Sequence, residues 1–194
     1  MKIVIIGGVA GGMSAAARLR RLSETAEITV FEKGGYVSFA NCGLPYYIGG
    51  EITERQNLLL QTPESFKARF NVNVRVNSEV LSVDTKAKEV RVKDLKTGNE
   101  YAEKYDKLLL SPGAEPVKPP IPGIDSKKIF TLRNMEDTDK IYTYIRDNNP
   151  KKVVVVGGGY IGLEIAENLK HKGMFVTIVE ALPQVMGLID FELA

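Results

Sequence analysis

Three features of this chain have residue types and spacing that could do chemistry: one thiol and two glycine-rich turns. Cys42, in "SFANCGLP" (residues 38–45), is the only cysteine among 194 residues. A lone cysteine is ordinarily a small buried apolar residue, and one cysteine excludes an internal disulfide framework. The glycine turns are "GGVAGG" (residues 7–12) and "GGGYIG" (residues 157–162). In the second, Gly157, Gly159 and Gly162 satisfy G-x-G-x-x-G. The first glycine permits a tight turn, the second lets backbone approach a pyrophosphate, and the third lets a helix pack closely on a strand. In the first turn Gly7 and Gly12 fit, but Val9 stands where the second glycine belongs. An acid follows each turn: Glu32 is 20 residues after Gly12 and Glu180 is 18 after Gly162. Such an acid can accept a hydrogen bond from a ribose 2′-hydroxyl.

The elements around these turns repeat one plan. "KIVII" (residues 2–6) predicts a buried strand. "MSAAARLRRL" (residues 13–22) predicts a helix with Leu19 and Leu22 on its core side. "EITVF" (residues 27–31) is a second strand, and Glu32 stands at its end. Further on, "KVVVV" (152–156), "LEIAENLKHK" (163–172) and "FVTIV" (175–179), closed by Glu180, repeat strand, helix and strand. Between the two units the texture alternates, in "VNVRV" (72–76), in residues 79–83 and in residues 89–94, with turn residues in "DTKAK" and "KTGNE". This predicts an antiparallel meander over about residues 72–105. Residues 107–110 then form a buried strand that ends at Ser111-Pro112-Gly113. "PVKPPIPG" is a stiff extended linker, and residues 137–147 are a short helix. In "TPESFKARF", Thr62 is placed as a helix N-cap with Pro63 at the first helical position.

The expected fold is α/β: two Rossmann-like dinucleotide-binding units, an antiparallel β-meander inserted in the first, and a second unit left incomplete by its two strands. The expected domains are residues 1–113, a linker with a short helix at 114–150, and the start of a second domain at 151–194. Composition sets the class. A hydrophobic fraction of 44% and a charged fraction of 26% are ordinary for a globular protein, and a net charge of +2 argues neither for nucleic acid nor for a membrane surface. The apolar run in "MKIVIIGGVAGG" ends after four residues, too short for a signal peptide. No stretch approaches a membrane span, and no metal-ligand pattern stands out. A single cysteine fits a reducing compartment, so the expected location is cytoplasmic.

The order strand, "GGVAGG", helix, Glu32, meander, "LLLSPGA" and second glycine unit resembles the flavin-dependent pyridine nucleotide–disulfide oxidoreductases, over the whole chain. Within them, "SFANCGLPYYIGG" resembles the coenzyme A-disulfide reductase branch, which includes NADH-dependent persulfide reductases. Val9 in the first turn is that branch's form of the loop. The resemblance implies FAD on the first unit and NADH, with NADPH possible, on the second. For FAD it points to the backbone of Gly7, Gly8, Val9, Ala10, Gly11 and Gly12 for the pyrophosphate, to Glu32 for the ribose, to the Val80 backbone for adenine, and to Lys33 as a further cofactor-binding residue. Ser111, Pro112 and Gly113 lie along the cofactor, Arg133 is a further contact, and Asn41 and Cys42 face the isoalloxazine ring. For the nicotinamide nucleotide it points to Gly157, Gly159, Tyr160, Ile161, Gly162 and Glu180.

Under this resemblance Cys42 is the catalytic sulfur. No C-x4-C partner exists, so the second sulfur comes from the substrate, as a mixed disulfide with coenzyme A, or an oxygen serves, as a sulfenic acid. A helix opening at Cys42 would favour the thiolate. Ser14, Arg18 and Arg21 stand at i, i+4 and i+7, one face of the first helix. That cationic face suits coenzyme A phosphates, and the family uses the matching positions with Ser38 and Asn41; Lys67 and Arg69 add cations. NADH peroxidases and oxidases also carry S-F-x-x-C-G, but with a catalytic histidine at the position of Ala10. The only histidine here, His171, reads as a solvated residue at a helix end. Disulfide or persulfide reduction therefore leads, with the oxidase or peroxidase as alternative. Family members are longer homodimers, so a second alternative is a catalytically inert nucleotide-binding fragment. The residues leave open which acceptor is used and whether a rhodanese domain follows.

Overall fold

In the computed structural model, which describes residues 1–194, the run "KIVII" forms strand β1 (Lys2–Ile6), and Ile3, Val4 and Ile5 are buried. A continuous apolar run with no alternation is what a parallel strand covered on both faces requires. The chain packs as two compact units, Met1–Phe39 with Leu59–Glu115, and Ala40–Leu58 with Pro116–Ala194. Residues 40–58 thus pack in the second unit, although in sequence they fall within the first 113 residues.

The first unit contains β1, α1 (Ala10–Leu22), β2 (Glu27–Phe31), a helix at Pro63–Phe70, β3 (Asn73–Arg75), β4 (Ser78–Asp84), β5 (Glu89–Asp94), β6 (Glu100–Lys104) and β7 (Lys107–Leu110). Its main sheet is parallel, in the order β3-β2-β1-β7. Met13 and Ala16 of α1 and Phe66 of the 63–70 helix cover one face, packed with Ile3, Ile5, Ile28 and Val30. Thr62 caps that helix. Its Oγ1 accepts from the Ser65 N–H at 3.2 Å, and Ser65 Oγ accepts from the Thr62 N–H at 2.9 Å, a reciprocal box with serine in the usual glutamate place.

The antiparallel sheet β4-β5-β6 places the buried Val90 and Val92 against Val4, Phe31 and Tyr105. It begins later than its alternation predicts. Residues 73–75 do not join the meander; they pair parallel to β2, Thr29 opposite Asn73 and Phe31 opposite Arg75. Alternation marks a strand but does not choose its partner. Here Val72, Val74 and Val76 turn toward the α1 layer, and Asn77, in a left-handed conformation (φ 52°), breaks the chain between the sheets.

Two side-chain networks tie this unit together. Glu103 on β6 accepts from Arg75 Nη1 at 2.9 Å and pairs with Lys2 of β1, while the Arg75 guanidinium lies 5.4 Å from the centre of the Phe31 ring. Burial opposes ionisation of Glu103, but Lys2 and Arg75 outweigh it and hold the carboxyl below its ordinary range. Arg20 spends all five N–H donors on carbonyls. Nε bonds Phe70 O at 2.8 Å, Nη1 bonds Ser23 O at 3.0 Å and Glu24 O at 2.5 Å, and Nη2 bonds Ala26 O at 2.8 Å and Asn71 O at 2.9 Å. These are carbonyls at and just beyond the C-termini of two helices, which have no partners within their helices.

The second unit contains α2 (Leu44–Gly49), which makes the 63–70 helix α3. It continues with α4 (Met135–Asn148), β8 (Lys152–Val156), α5 (Tyr160–His171) and β9 (Phe175–Val179). β8 and β9 pair parallel, Val154 opposite Thr177. Ile48, Leu169 and Met174 form its core with Ile141, Ile145 and Val153. Val154, Val156 and Phe175 are 61%, 83% and 64% exposed, so one face of this two-stranded sheet is uncovered. Helices α1 and α5 start three residues earlier than predicted, since a glycine in a first helical turn costs little when its N–H lacks an intrahelical partner. No helix is long and apolar enough to cross a membrane.

Candidate nucleotide turns and the Cys42 turn

The two glycine turns have one geometry. Gly7 and Gly157 both sit at φ 102°, a conformation that side chains resist. Gly7 N donates to Phe31 O at 2.8 Å and Gly157 N donates to Val179 O at 2.8 Å, so each turn hangs from the end of its second strand. A Cβ at Gly12 would run into the Gly7 carbonyl oxygen, and one at Gly162 into that of Gly157. The third glycine of the pattern therefore lets the helix sit directly against its own turn. The middle position differs. Around Gly159 nothing lies within 4 Å of an added Cβ, so the protein itself tolerates a side chain there, and Val9 occupies the matching position as the residue preceding α1.

Neither α1 nor α5 has a side-chain cap or an acid in its first turn. Their leading N–H groups have no side-chain acceptor, which is the requirement for an anion site at a helix N-terminus. The acids instead hold the turns. Glu32 Oε2 accepts from Gly8 N and Oε1 from Gly34 N, both at 2.7 Å. Glu180 Oε2 accepts from Gly158 N at 2.6 Å, and Oε1 accepts from Ala181 N at 2.8 Å and Leu182 N at 2.9 Å. The bonds from Leu182 and Gly158 hold the Glu180 carboxyl below its ordinary range. A carboxylate offers about four lone-pair sites, so each acid retains acceptor capacity for a hydroxyl.

Ser111 closes the first turn from the side. Its N–H donates to Ile6 O at 2.7 Å, its carbonyl blocks any Cβ at Gly7, and its Oγ lies 2.5 Å from where a Cβ at Gly11 would stand. Pro112 and Gly113 (φ 72°) lead away from it. Ser38 reaches the same turn by donating its N–H to Gly8 O at 3.1 Å, with a left-handed backbone (φ 47°). Val80 precedes a register shift in β4, and Lys33 pairs with Glu79 at 2.9 Å. Thus the structure gathers Gly7 to Gly12, Glu32, Ser38 and Ser111 to Gly113 within the first unit, and Gly157 to Gly162 with Glu180 in the second. Tyr160 and Ile161 stand exposed there, and Arg133 lies just before α4.

Of the cations, Arg18 and Arg21 are exposed on α1 with Ser14, whereas Arg20 between them is the structural arginine. Lys67 donates to Asn71 Oδ1 at 2.8 Å, and Arg69 lies 5.1 Å from the Phe70 ring centre, so both are engaged locally. Sequence reasoning missed Arg20, because nothing in "RLRR" separates it from its neighbours.

Cys42 is exposed, at the centre of a 3₁₀ turn, Asn41–Gly43, in the second unit. The α-helix does not open at Cys42 but at Leu44. Pro45 lacks an N–H, and the tighter bond from Gly43 N to Ala40 O, at 2.9 Å, closes the turn first. The base of the loop is fastened by Ala40 N donating to Leu58 O at 2.8 Å.

This arrangement matches known proteins along its entire length. Residues 1–194 fit the pyridine nucleotide-disulphide oxidoreductase family. The chain is 46% identical over 189 residues to a coenzyme A disulfide reductase of Staphylococcus haemolyticus (strain JCSC1435), covering 97% of this chain and 42% of that protein. Among solved structures, reduced Bacillus anthracis CoADR-RHD is 55% identical with a TM-score of 0.96, over 100% of this chain and 35% of that one. An NAD-dependent persulfide reductase from A. fulgidus is 41% identical with a TM-score of 0.90, over 95% of this chain and 34% of that one. The chain spans less than half the length of these relatives. Since its two glycine turns, their acids and its lone-cysteine turn all lie in matched sequence, the chain belongs to the pyridine nucleotide-disulphide oxidoreductase family.

Proposed function

We propose that this chain carries the flavin- and nicotinamide-binding residues and the redox thiol of an enzyme that reduces coenzyme A disulfide or coenzyme A persulfide. The observation that carries the proposal is Cys42, the only cysteine, exposed in a short turn of a chain with two equivalent nucleotide turns. The first turn fits FAD. Its glycines leave no room for side chains, its helix presents leading N–H groups without side-chain acceptors, and Glu32 retains lone pairs for a ribose. Gly7 to Gly12, Glu32 and Ser111 to Gly113 would hold it, with Lys33, Val80, Arg133 and Asn41 as further contacts. Gly157, Gly159, Gly162, Tyr160, Ile161 and Glu180 would hold NADH. A 2′-phosphate would meet the like charge of Glu180, and the following "ALPQ" offers no arginine, which favours NADH over NADPH.

When bound, the flavin supplies the path by which an electron pair from the nicotinamide reaches sulfur. The chain's own part is thiol exchange. The Cys42 thiolate attacks one sulfur of coenzyme A disulfide, a Cys42–coenzyme A disulfide forms, and the other coenzyme A leaves as its thiolate. Two electrons then cleave that mixed disulfide, restoring the Cys42 thiolate and releasing the second coenzyme A, which takes up a proton. Ser14, Arg18 and Arg21 give the phosphates an exposed cationic face, with Ser38, Asn41, Lys67 and Arg69 as additional contacts. The reading takes the working enzyme to be a homodimer. Sulfenic acid chemistry on oxygen or peroxide lacks the histidine it needs, because Ala10 holds that position.

The test is Cys42→Ser in the protein in which this chain occurs, assayed as NADH consumption driven by coenzyme A disulfide. Turnover should vanish while flavin content stays unchanged, because the thiol is the redox centre and not a cofactor anchor. Turnover near the wild-type rate would remove Cys42 from the mechanism.

A further inference from the structure

The far limb of the Cys42 loop is locked to α4 by a two-pronged ion pair. Arg55 opens a 3₁₀ turn, Arg55–Leu58, and stands 84 residues from Asp139 in sequence. Its Nε donates to Asp139 Oδ1 at 2.7 Å and its Nη2 to Asp139 Oδ2 at 2.7 Å. The same turn ends at Leu58, which is fully buried. Leu58 meets the turn on both sides of the thiol: its carbonyl accepts from Ala40 N, and its Cδ2 lies 2.8 Å from where a Cβ on Gly43 would stand, nearer than Ile52 at 3.2 Å. Residues 40 and 43 bracket Cys42. α4 grips the loop at a second point one turn on, where Tyr142 stacks on Tyr47 with ring centres 4.8 Å apart and planes at 20°.

Magnitudes separate positioning from stability. The two side chains of the pair are 30% and 39% exposed, and an ion pair at such a site adds little to stability. A two-pronged guanidinium–carboxylate pair nevertheless fixes direction as well as distance, which a lysine does not.

We infer that Arg55 and Asp139 are positioning residues for Cys42: their pair fixes the turn that carries Leu58, and Leu58 sets the backbone on both sides of the thiol. The inference rests on Cys42 being the redox sulfur, but its test does not depend on turnover.

Because the chain has one thiol, alkylation reads Cys42 alone. The rates of the 194-residue chain with neutral iodoacetamide and anionic iodoacetate are compared for the wild type, Arg55→Lys and Asp139→Asn. Helical content by circular dichroism is the folding control. Both variants should change the rate with both reagents by about threefold or more, in the same direction, with helical content retained. The effect should appear in Arg55→Lys although its charge is kept, because the fork is lost. Folded variants that react like the wild type would overturn the inference. So would an effect confined to iodoacetate, which would make the pair a source of field. Loss of helical content would also overturn it, by assigning the pair to stability. Failure of the proposed function appears separately, as retained turnover in Cys42→Ser.

Discussion

Replacing Arg20 by lysine should destabilise the first unit nearly as much as replacing it by alanine, although lysine keeps the charge. The five carbonyls that Arg20 binds come from Ser23, Glu24, Ala26, Phe70 and Asn71, at 2.5 to 3.0 Å. A hydrogen bond from a charged donor is worth roughly 1.5–3 kcal/mol, but bonds that share one side chain do not add. Arg20 is only half-buried, and water can solvate part of what it releases. A loss of about 2–4 kcal/mol for Arg20→Ala is therefore expected, the discounted value of two or three such bonds. Lysine has three donors on one atom and cannot span carbonyls from two helix ends. Arg20→Lys should thus lose about 1.5–3 kcal/mol. The assay is urea unfolding followed by far-UV circular dichroism, with Arg21→Ala, exposed and outside this network, as the control within about 0.5 kcal/mol of wild type. If Arg20→Lys unfolds at the wild-type midpoint, charge alone suffices and the reasoning from geometry is wrong.

The middle and last glycines of the second turn should behave oppositely: Gly159→Ala should leave thermal stability unchanged but weaken NADH binding, whereas Gly162→Ala should lower stability because its Cβ meets the Gly157 carbonyl. Equal effects on the two readouts would refute that division. Stability should also fall in acid through Glu103. Its folded carboxyl titrates below its ordinary value, so its contribution is present above about pH 4.3 and is lost as pH falls through the folded value. Glu103→Gln should flatten the slope of unfolding free energy against pH in that window, and an unchanged slope would show that Lys2 and Arg75 do not act through it. Arg18→Ala and Arg21→Ala should each raise KM for a coenzyme A substrate, by roughly 0.5–1 kcal/mol after solvent screening, without doing so for a small uncharged disulfide. Equal shifts on both substrates would assign these arginines to folding or solubility.

Local signals carried much of the fold. "KIVII" and "KVVVV" form strands, both glycine turns have the geometry their spacing implies, and Glu32 and Glu180 stand at the strand ends where their positions put them. What could not be read is non-local. Alternation in residues 72–76 marked a strand but not its parallel partner β2, which the buried Val72 and the turn at Asn77 decide. The packing of residues 40–58 with the second unit depends on Tyr47 meeting Tyr142 and Arg55 meeting Asp139, contacts between segments far apart in sequence. Arg20 differs from Arg18 and Arg21 in facing both the chain that leaves α1 and the end of helix α3, and no local pattern encodes the second.

The most direct test of the account is the intact mass of the chain after incubation with coenzyme A disulfide. The account predicts one coenzyme A per chain in disulfide linkage, removed by dithiothreitol, absent in Cys42→Ser and formed faster than the adduct of a small uncharged disulfide. A chain that stays unmodified, or one whose thiol reacts faster with the small uncharged disulfide than with coenzyme A disulfide, would contradict it.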